Sequence, residues 1–180
     1  VEGDLDRWLE SLRNRVRKRV IDTVIYIERV GPSRDGSPKN VRGVAIRQWT
    51  APLSRLTERG LHTIGIGDGG NEIGMGRIDS LPIETVVDHG VQIVCTIPTQ
   101  ELIIAGTSNW GGHALVCAMR AMGHTELDPF LDVSWHRGVL GNIMRSGGLD
   151  GVTLMNTPTV DGLTEDDYYH AIRVLSNAAR

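Results

Sequence analysis

The alternation of apolar and polar positions divides the chain into short elements. Leu5, Trp8, Leu9, Leu12 and Val16 recur at helical spacing with arginines on the other face, which predicts a helix over 5–19. The Arg-rich run 13–19 reads as its solvated side, with an anion patch as the alternative. Residues 20–27 are β-branched and apolar and predict a strand. A loop rich in Gly, Pro, Ser and Asp follows over 31–40, and order resumes over 41–46. A short helix is expected over 52–59, with Pro52 in its first turn and Gly60 ending it. A strand over 61–66 runs straight into a glycine-rich stretch.

Beyond that stretch, 73–78 leads to Pro82 and a helix through His89, ended by Gly90. The apolar run 91–97 reads as a further strand, and 101–105 fits strand or helix. A second glycine-rich turn, 106–112, opens a helix over 113–122 that Gly123 closes. One or two helices occupy 128–146, Asp150-Gly151 forms a turn, and 152–155 a short strand. Thr164 caps a last helix with acids in its first turn, running to about Ala178. Strands alternating with helices predict an α/β fold, layered, with a mostly parallel or mixed sheet flanked by helices.

Composition narrows the function classes. The 180 residues suit a single α/β domain, 1–180, with 40% hydrophobic and 23% charged residues. A net charge of −3 supplies no basic field for nucleic acid, and no apolar run is long enough to span a bilayer. The chain opens Val1-Glu2-Gly3-Asp4 without the pattern of a signal peptide or an initiator Met, so we expect a processed N-terminus or a piece of a longer protein. Cys95 and Cys117 sit in apolar surroundings, read as buried free thiols of a reducing compartment, with no zinc spacing. Of nineteen basic residues only Lys18 and Lys39 are lysines, a bias that points to a GC-rich bacterial genome and hence the cytoplasm.

The candidate chemistry lies in 62–76, where six glycines surround Asp68, Asn71 and Glu72. Gly65, Gly67 and Gly70 match G-x-G-x-x-G after a strand, nominally a dinucleotide fingerprint. Asp68 inside the turn and Glu72 beyond it would repel a phosphate by several kcal/mol if desolvated, unless a divalent cation bridged them. Asp68, Asn71 and Glu72 are hard oxygen donors, suited to Mg²⁺, Mn²⁺ or Ca²⁺ as ligands or their supports, and the spacing puts both acids on one side if a helix starts within the loop. A turn that satisfies its own backbone is the competing reading. Glu28, Arg29, Asn40 and Arg42 follow the first predicted strand, where open α/β sheets often bind ligands; a salt-bridged surface loop is their alternative. Of the six histidines only His113, after the second glycine turn, is a candidate ligand.

The order Thr-Ile-Gly-Ile-Gly-Asp-Gly-Gly-Asn-Glu-Ile-Gly-Met-Gly closely resembles the signature of the D-glutamate cyclase family, which comprises bacterial proteins and the C-terminal domain of a vertebrate mitochondrial enzyme. Ile27-Glu28-Arg29-Val30-Gly31-Pro32 with Asn40-Val41-Arg42-Gly43, then Ser108-Asn109-Trp110-Gly111-Gly112, then Val160-Asp161-Gly162-Leu163 resemble further family segments. The resemblance runs from about residue 20 to the end. Family members usually carry an earlier segment with its own acidic, glycine-containing motif, so the chain is expected to be the C-terminal portion of a longer family domain, mitochondrial if the source is a vertebrate.

The reaction the resemblance implies is intramolecular: the α-amine of D-glutamate attacks its γ-carboxyl carbon, water leaves, and 5-oxo-D-proline forms. A divalent metal would activate the carboxyl, a base the amine, and the fold would bring nitrogen and carbon together. Asp68 and Glu72 are the expected metal ligands and catalytic acids, with Asn71 as ligand or orienting amide. Asn109, the N–H groups of Gly111 and Gly112, and Arg42 or Arg29 are expected on substrate carboxylate, and Asp161 as base or support. Helix capping with a packed indole is the alternative for Asn109 and Trp110, and a turn aspartate for Asp161. The partner is a small amino acid, with no nucleic acid and no membrane; a homo-oligomer stays open. Another metal-dependent enzyme, such as a phosphohydrolase, and a non-catalytic binding module are the competing functions.

Overall fold

The computed structural model describes residues 2–18 and 21–180. Arg19 and Val20, which the predicted helix and strand included, lie outside the described residues, as do the side chains of Leu5, Arg13, Val16 and Arg17. The chain divides into two compact units, Val1–Ser108 and Asn109–Arg180.

The first unit holds the sheet. Helix α1 (Glu2–Arg17) precedes β1 (Thr23–Ile27), β2 (His62–Gly67) and β3 (Glu101–Ile104), which lie in the order β1-β2-β3, all parallel. Ile25 pairs with Ile64, and Ile64 with Glu101, so the three strands end at nearly the same level. Tyr26 on β1 buries against Leu9 of α1, Leu56 and Ile73, and its hydroxyl donates to the Leu53 carbonyl at 3.1 Å. A second cluster joins Met75, Ile83, Val94 and Cys95. The sequence between the strands is mostly loop, with a 3₁₀ helix over Leu53–Arg59 and the short helices α2 (Leu81–Val86) and α3 (Gly90–Ile93). This α/β fold with a parallel sheet is the predicted class.

Two local expectations are corrected here, and one left open is resolved. The run 91–97 is not a strand: it is the turn of α3 followed by a buried segment. Its N–H groups go to loops instead of a ladder, Cys95 to the Gly70 carbonyl at 2.9 Å and Thr96 to that of Pro32 at 3.0 Å. A short apolar run looks the same in either role. Helix α2 stops at Val86 instead of reaching His89, because Val87 turns extended at ψ 133°, and Gly90 starts α3, behind a left-handed His89, instead of closing α2. The apolar 101–105 resolves as β3.

The second unit is helical: α4 (Ser108–Ala121, of which Ser108 itself counts with the first unit), a 3₁₀ helix over Thr125–Leu131, α5 (Val133–Arg145) and α6 (Glu165–Ala178). Tyr168, Tyr169 and Ile172 of α6 bury with Trp110, Val133, Val160 and Leu163, and Cys117 packs with Leu131 and Ala179. Thr164 caps α6 as expected, accepting the Asp167 N–H. Two expectations fail. Helix α4 starts at Ser108, not 113, so Gly111 and Gly112 lie inside the helix instead of in a turn before it. Residues 152–155 form no strand, because the N–H groups of Val152 and Thr153 both go to Asp150 Oδ1 at 2.8 Å. Both cysteines are free and buried. Among the described residues no helix is long and apolar enough to cross a membrane.

Candidate functional site

The carboxyl ends of the three parallel strands converge on one point of the first unit. Open α/β sheets offer ligand sites at this edge because each strand there gives way to a loop whose side chains are free to turn inward. Glu28 follows β1, Asp68 follows β2, and Ser108 comes shortly after β3.

Glu28 leaves its strand in a left-handed conformation, φ 52°, with its N–H donated to the Ile66 carbonyl of β2 at 3.0 Å. A non-glycine residue in this region carries strain of order ~1 kcal/mol or more, and such residues gather at functional sites.

After β2 the chain folds into a tight loop around one side chain. Glu72, 1% exposed, turns its carboxylate back on the loop: Oε1 accepts the N–H groups of Asp68 and Gly69 at 3.0 and 2.8 Å, and Oε2 that of Gly70 at 2.7 Å. Two glycines permit this. A Cβ on Gly67 would stand 2.9 Å from Glu72 Cβ and Cδ, and Gly70 sits at φ +98°. The N–H groups that would cradle a phosphate are therefore already filled by the chain's own anion, which answers the nominal dinucleotide match. No helix starts within the loop. Backbone bonds lace the loop to the segment after β1, from Gly31 N–H to the Asn71 carbonyl at 2.9 Å and from Ile73 N–H to the Arg29 carbonyl at 2.7 Å.

Glu28, Asp68 and Glu72 each offer a carboxylate oxygen within 4.8 Å of the other two. Ser108 joins two of them: its N–H, at the start of α4, donates to Asp68 Oδ2 at 2.7 Å, and its hydroxyl donates to Glu28 Oε2. Burial pushes the Asp68 carboxyl up from its usual value, the Ser108 N–H pulls it back in part, and the charge of Glu72 raises it further. Asn71, 2% exposed, gives its amide N–H to the Lys39 carbonyl at 2.9 Å, while its Oδ1 is buried without a hydrogen-bond partner. That oxygen and Glu72 Oε1 lie 3.5 and 3.4 Å from the point where a Cβ on Gly69 would stand. The donors are carboxylate and amide oxygens, the set that Mg²⁺, Mn²⁺ and Ca²⁺ prefer, and an orphaned amide oxygen is what a cation or a substrate ammonium would satisfy.

Arg42 is exposed on a turn that Asn40 organises by accepting the N–H groups of Arg42 and Val44, both at 3.0 Å. Arg29 donates to the Ala51 carbonyl. Asn109, Gly111, Gly112 and Asp161 belong to the second unit. There the Asn109 amide reaches the Tyr168 hydroxyl at 3.4 Å, and Trp110 Nε1 donates to the Tyr168 carbonyl at 3.2 Å while its ring stacks on that tyrosine. Asp161, exposed and at φ 52°, sits in the turn bridged by Val160 and Leu163. His113 is buried against Ser176 Oγ at 3.0 Å and against the His136 ring; burial, then His136, push it down to about 4. Sequence reasoning gave Ser108 no role, although it lies in a stretch of family character; the only signal was a helix-capping residue type after a strand.

Known proteins bear on this geometry. The family model described as D-glutamate cyclase-like, C-terminal, matches residues 5–176. The human protein "D-glutamate cyclase, mitochondrial" is 38% identical over 103 residues, a match covering 54% of this chain and 17% of the human protein. Since the family model takes in nearly the whole chain, including every residue of the acidic cluster, the chain belongs to the D-glutamate cyclase-like C-terminal family.

Proposed function

We propose that the Glu28–Asp68–Glu72 site supports metal-assisted cyclisation of D-glutamate to 5-oxo-D-proline with loss of water. The observation that carries this reading is the convergence of three carboxylates within 4.8 Å beside a buried amide oxygen that lacks a partner. Family membership supplies the reaction class.

The roles divide by what each oxygen already holds. Glu72 Oε1 accepts two N–H groups and Oε2 one, so Glu72 shapes the loop and has one lone pair left to offer. Glu28 and Asp68 would hold Mn²⁺ or Mg²⁺, with Asn71 Oδ1 completing an oxygen-rich set. When bound, the cation supplies Lewis-acid polarisation of the substrate γ-carboxyl group. The chain's own residues supply the rest. Asp68, with its carboxyl raised by burial, is better matched to taking a proton from the α-ammonium than an ordinary aspartate. Where the cation does not take it, Asn71 Oδ1 orients that nitrogen by accepting an N–H. The C–N bond forms, a C–O bond of the γ-carboxylate breaks, and the two protons that the ammonium nitrogen loses, one of them by way of Asp68, leave with the departing oxygen as water.

The test incubates the full chain with D-glutamate and Mn²⁺ and follows 5-oxo-D-proline by chiral chromatography. Product is expected with the D enantiomer and falls about 100-fold or more in Asp68→Asn. No product from the wild type overturns the reading; product indifferent to Asp68→Asn overturns the site.

A further inference from the structure

We infer that Ser108 is the positioning residue of the acidic site, setting the spacing at which Glu28 and Asp68 take a divalent cation. The inference rests on the proposed metal-assisted reading and adds to it the group that makes the two carboxylates act together.

Glu28 and Asp68 come from different strands, and no covalent feature fixes the gap between them. Each is the first residue after its strand, with its backbone N–H held, Glu28 by the Ile66 carbonyl and Asp68 by Glu72 Oε1, so the spacing of the two carboxylates is set at their side chains. Two like charges left to themselves would turn apart into solvent. Ser108 prevents this with two donors on one residue: the N–H to Asp68 Oδ2 at 2.7 Å and the hydroxyl to Glu28 Oε2. Ser108 thus touches both carboxylates, with its N–H on Asp68 and its hydroxyl on Glu28. Ser108 is 1% exposed, and its neighbour Thr107 is fully buried, so the anchor does not move with solvent. The N–H is held by the first residue of α4, where helix geometry leaves N–H groups without partners inside the helix.

This arrangement fixes one oxygen of each carboxylate. Outer partners of this kind commonly account for 10–100-fold in metal affinity. Asn71 Oδ1, buried and unpartnered, is the independent sign that the loop is built to receive a ligand.

The experiment measures Mn²⁺ affinity of the full chain by electron paramagnetic resonance of the free ion, with thermal midpoints recorded in parallel. Wild type is expected to bind. Ser108→Ala keeps the N–H but loses the hydroxyl, and is expected to weaken Mn²⁺ about 10-fold or more with little change in midpoint. Ser108→Thr, which restores the hydroxyl, is expected to recover most of the loss. In a Glu28→Gln background Ser108→Ala is expected to have little further effect, because its action runs through Glu28. A wild type that binds Mn²⁺ and a Ser108→Ala variant that binds it equally well would overturn this inference and leave the proposed function standing. Full additivity of Ser108→Ala and Glu28→Gln would likewise overturn it. A wild type that binds no Mn²⁺ would overturn the metal reading and this inference together.

Discussion

Two buried carboxylates organise turns in this chain, and only one stands among like charges. Glu72 takes the N–H groups of Asp68, Gly69 and Gly70; Asp150 takes those of Val152, Thr153 and Gly162 at 2.8, 2.8 and 3.0 Å. Both are under a tenth exposed. Burial pushes Asp150 up, but the donors from Gly162, Thr153, Thr159 and Val152 outweigh it and hold the carboxyl well below the usual range. Near Glu72 the balance differs: Asp68 is raised, and Glu28 completes a trio. Among the described residues Asp150 belongs to no such group. A buried acid with saturated oxygens is a structural clasp. One placed beside two more acids belongs to a group whose oxygens could hold a cation.

Glu72→Ala tests the clasp with the largest expected effect. Three buried N–H groups lose their acceptor, so denaturant unfolding should show a loss of about 3 kcal/mol or more. Asp68→Asn should instead spare stability and cost turnover. Because the folded carboxyl is raised, its stability contribution is fully present below its unfolded value and is lost as pH rises through the folded one. The metal-free midpoint of the wild type should therefore decline across that window, and Asp68→Asn should remove the decline. Asp150→Asn should cost about 2 kcal/mol and leave Mn²⁺ affinity unchanged; weakened binding would erase the distinction between the two acids. Thr164→Ala should cost about 1 kcal/mol through the lost cap of α6. His113→Gln should matter least at neutral pH. Since His113 titrates near 4 in the fold against 6.5 unperturbed, its contribution is present above 6.5 and lost as pH falls toward 4. A variant midpoint that falls more gently over that range would confirm it.

Legibility followed the range of the forces. β1 and β2 were readable because β-branched runs bounded by loops state their own conformation, and the cap at Thr164 is a local signal. The segment 91–97 was misread because apolar character records burial, while its N–H partners at Gly70 and Pro32 are distant in sequence. Helix α4 was started late because Gly111-Gly112 argues locally for a turn. In the site, Asp68, Asn71 and Glu72 stood out by residue type and spacing. That Glu72 folds back on the backbone, that Glu28 turns left-handed to join it, and that Ser108 donates to two acids depend on three strand ends meeting.

The clasp also has a chemical consequence. The sequence holds four Asp-Gly steps: 35–36, 68–69, 150–151 and 161–162. Such steps age, because the glycine nitrogen can attack the aspartate side chain, close a succinimide and reopen as isoaspartate. At Asp68 this would insert an extra backbone atom in the middle of the site. Gly69 N–H is held by Glu72 Oε1 at 2.8 Å, which keeps the nitrogen protonated and turned away from its own aspartate. Gly36 and Gly162 are held likewise, by the Ser33 carbonyl at 2.8 Å and by Asp150 at 3.0 Å. The folded loop thus protects its own covalent integrity, and the lifetime of the site is tied to how seldom that loop opens.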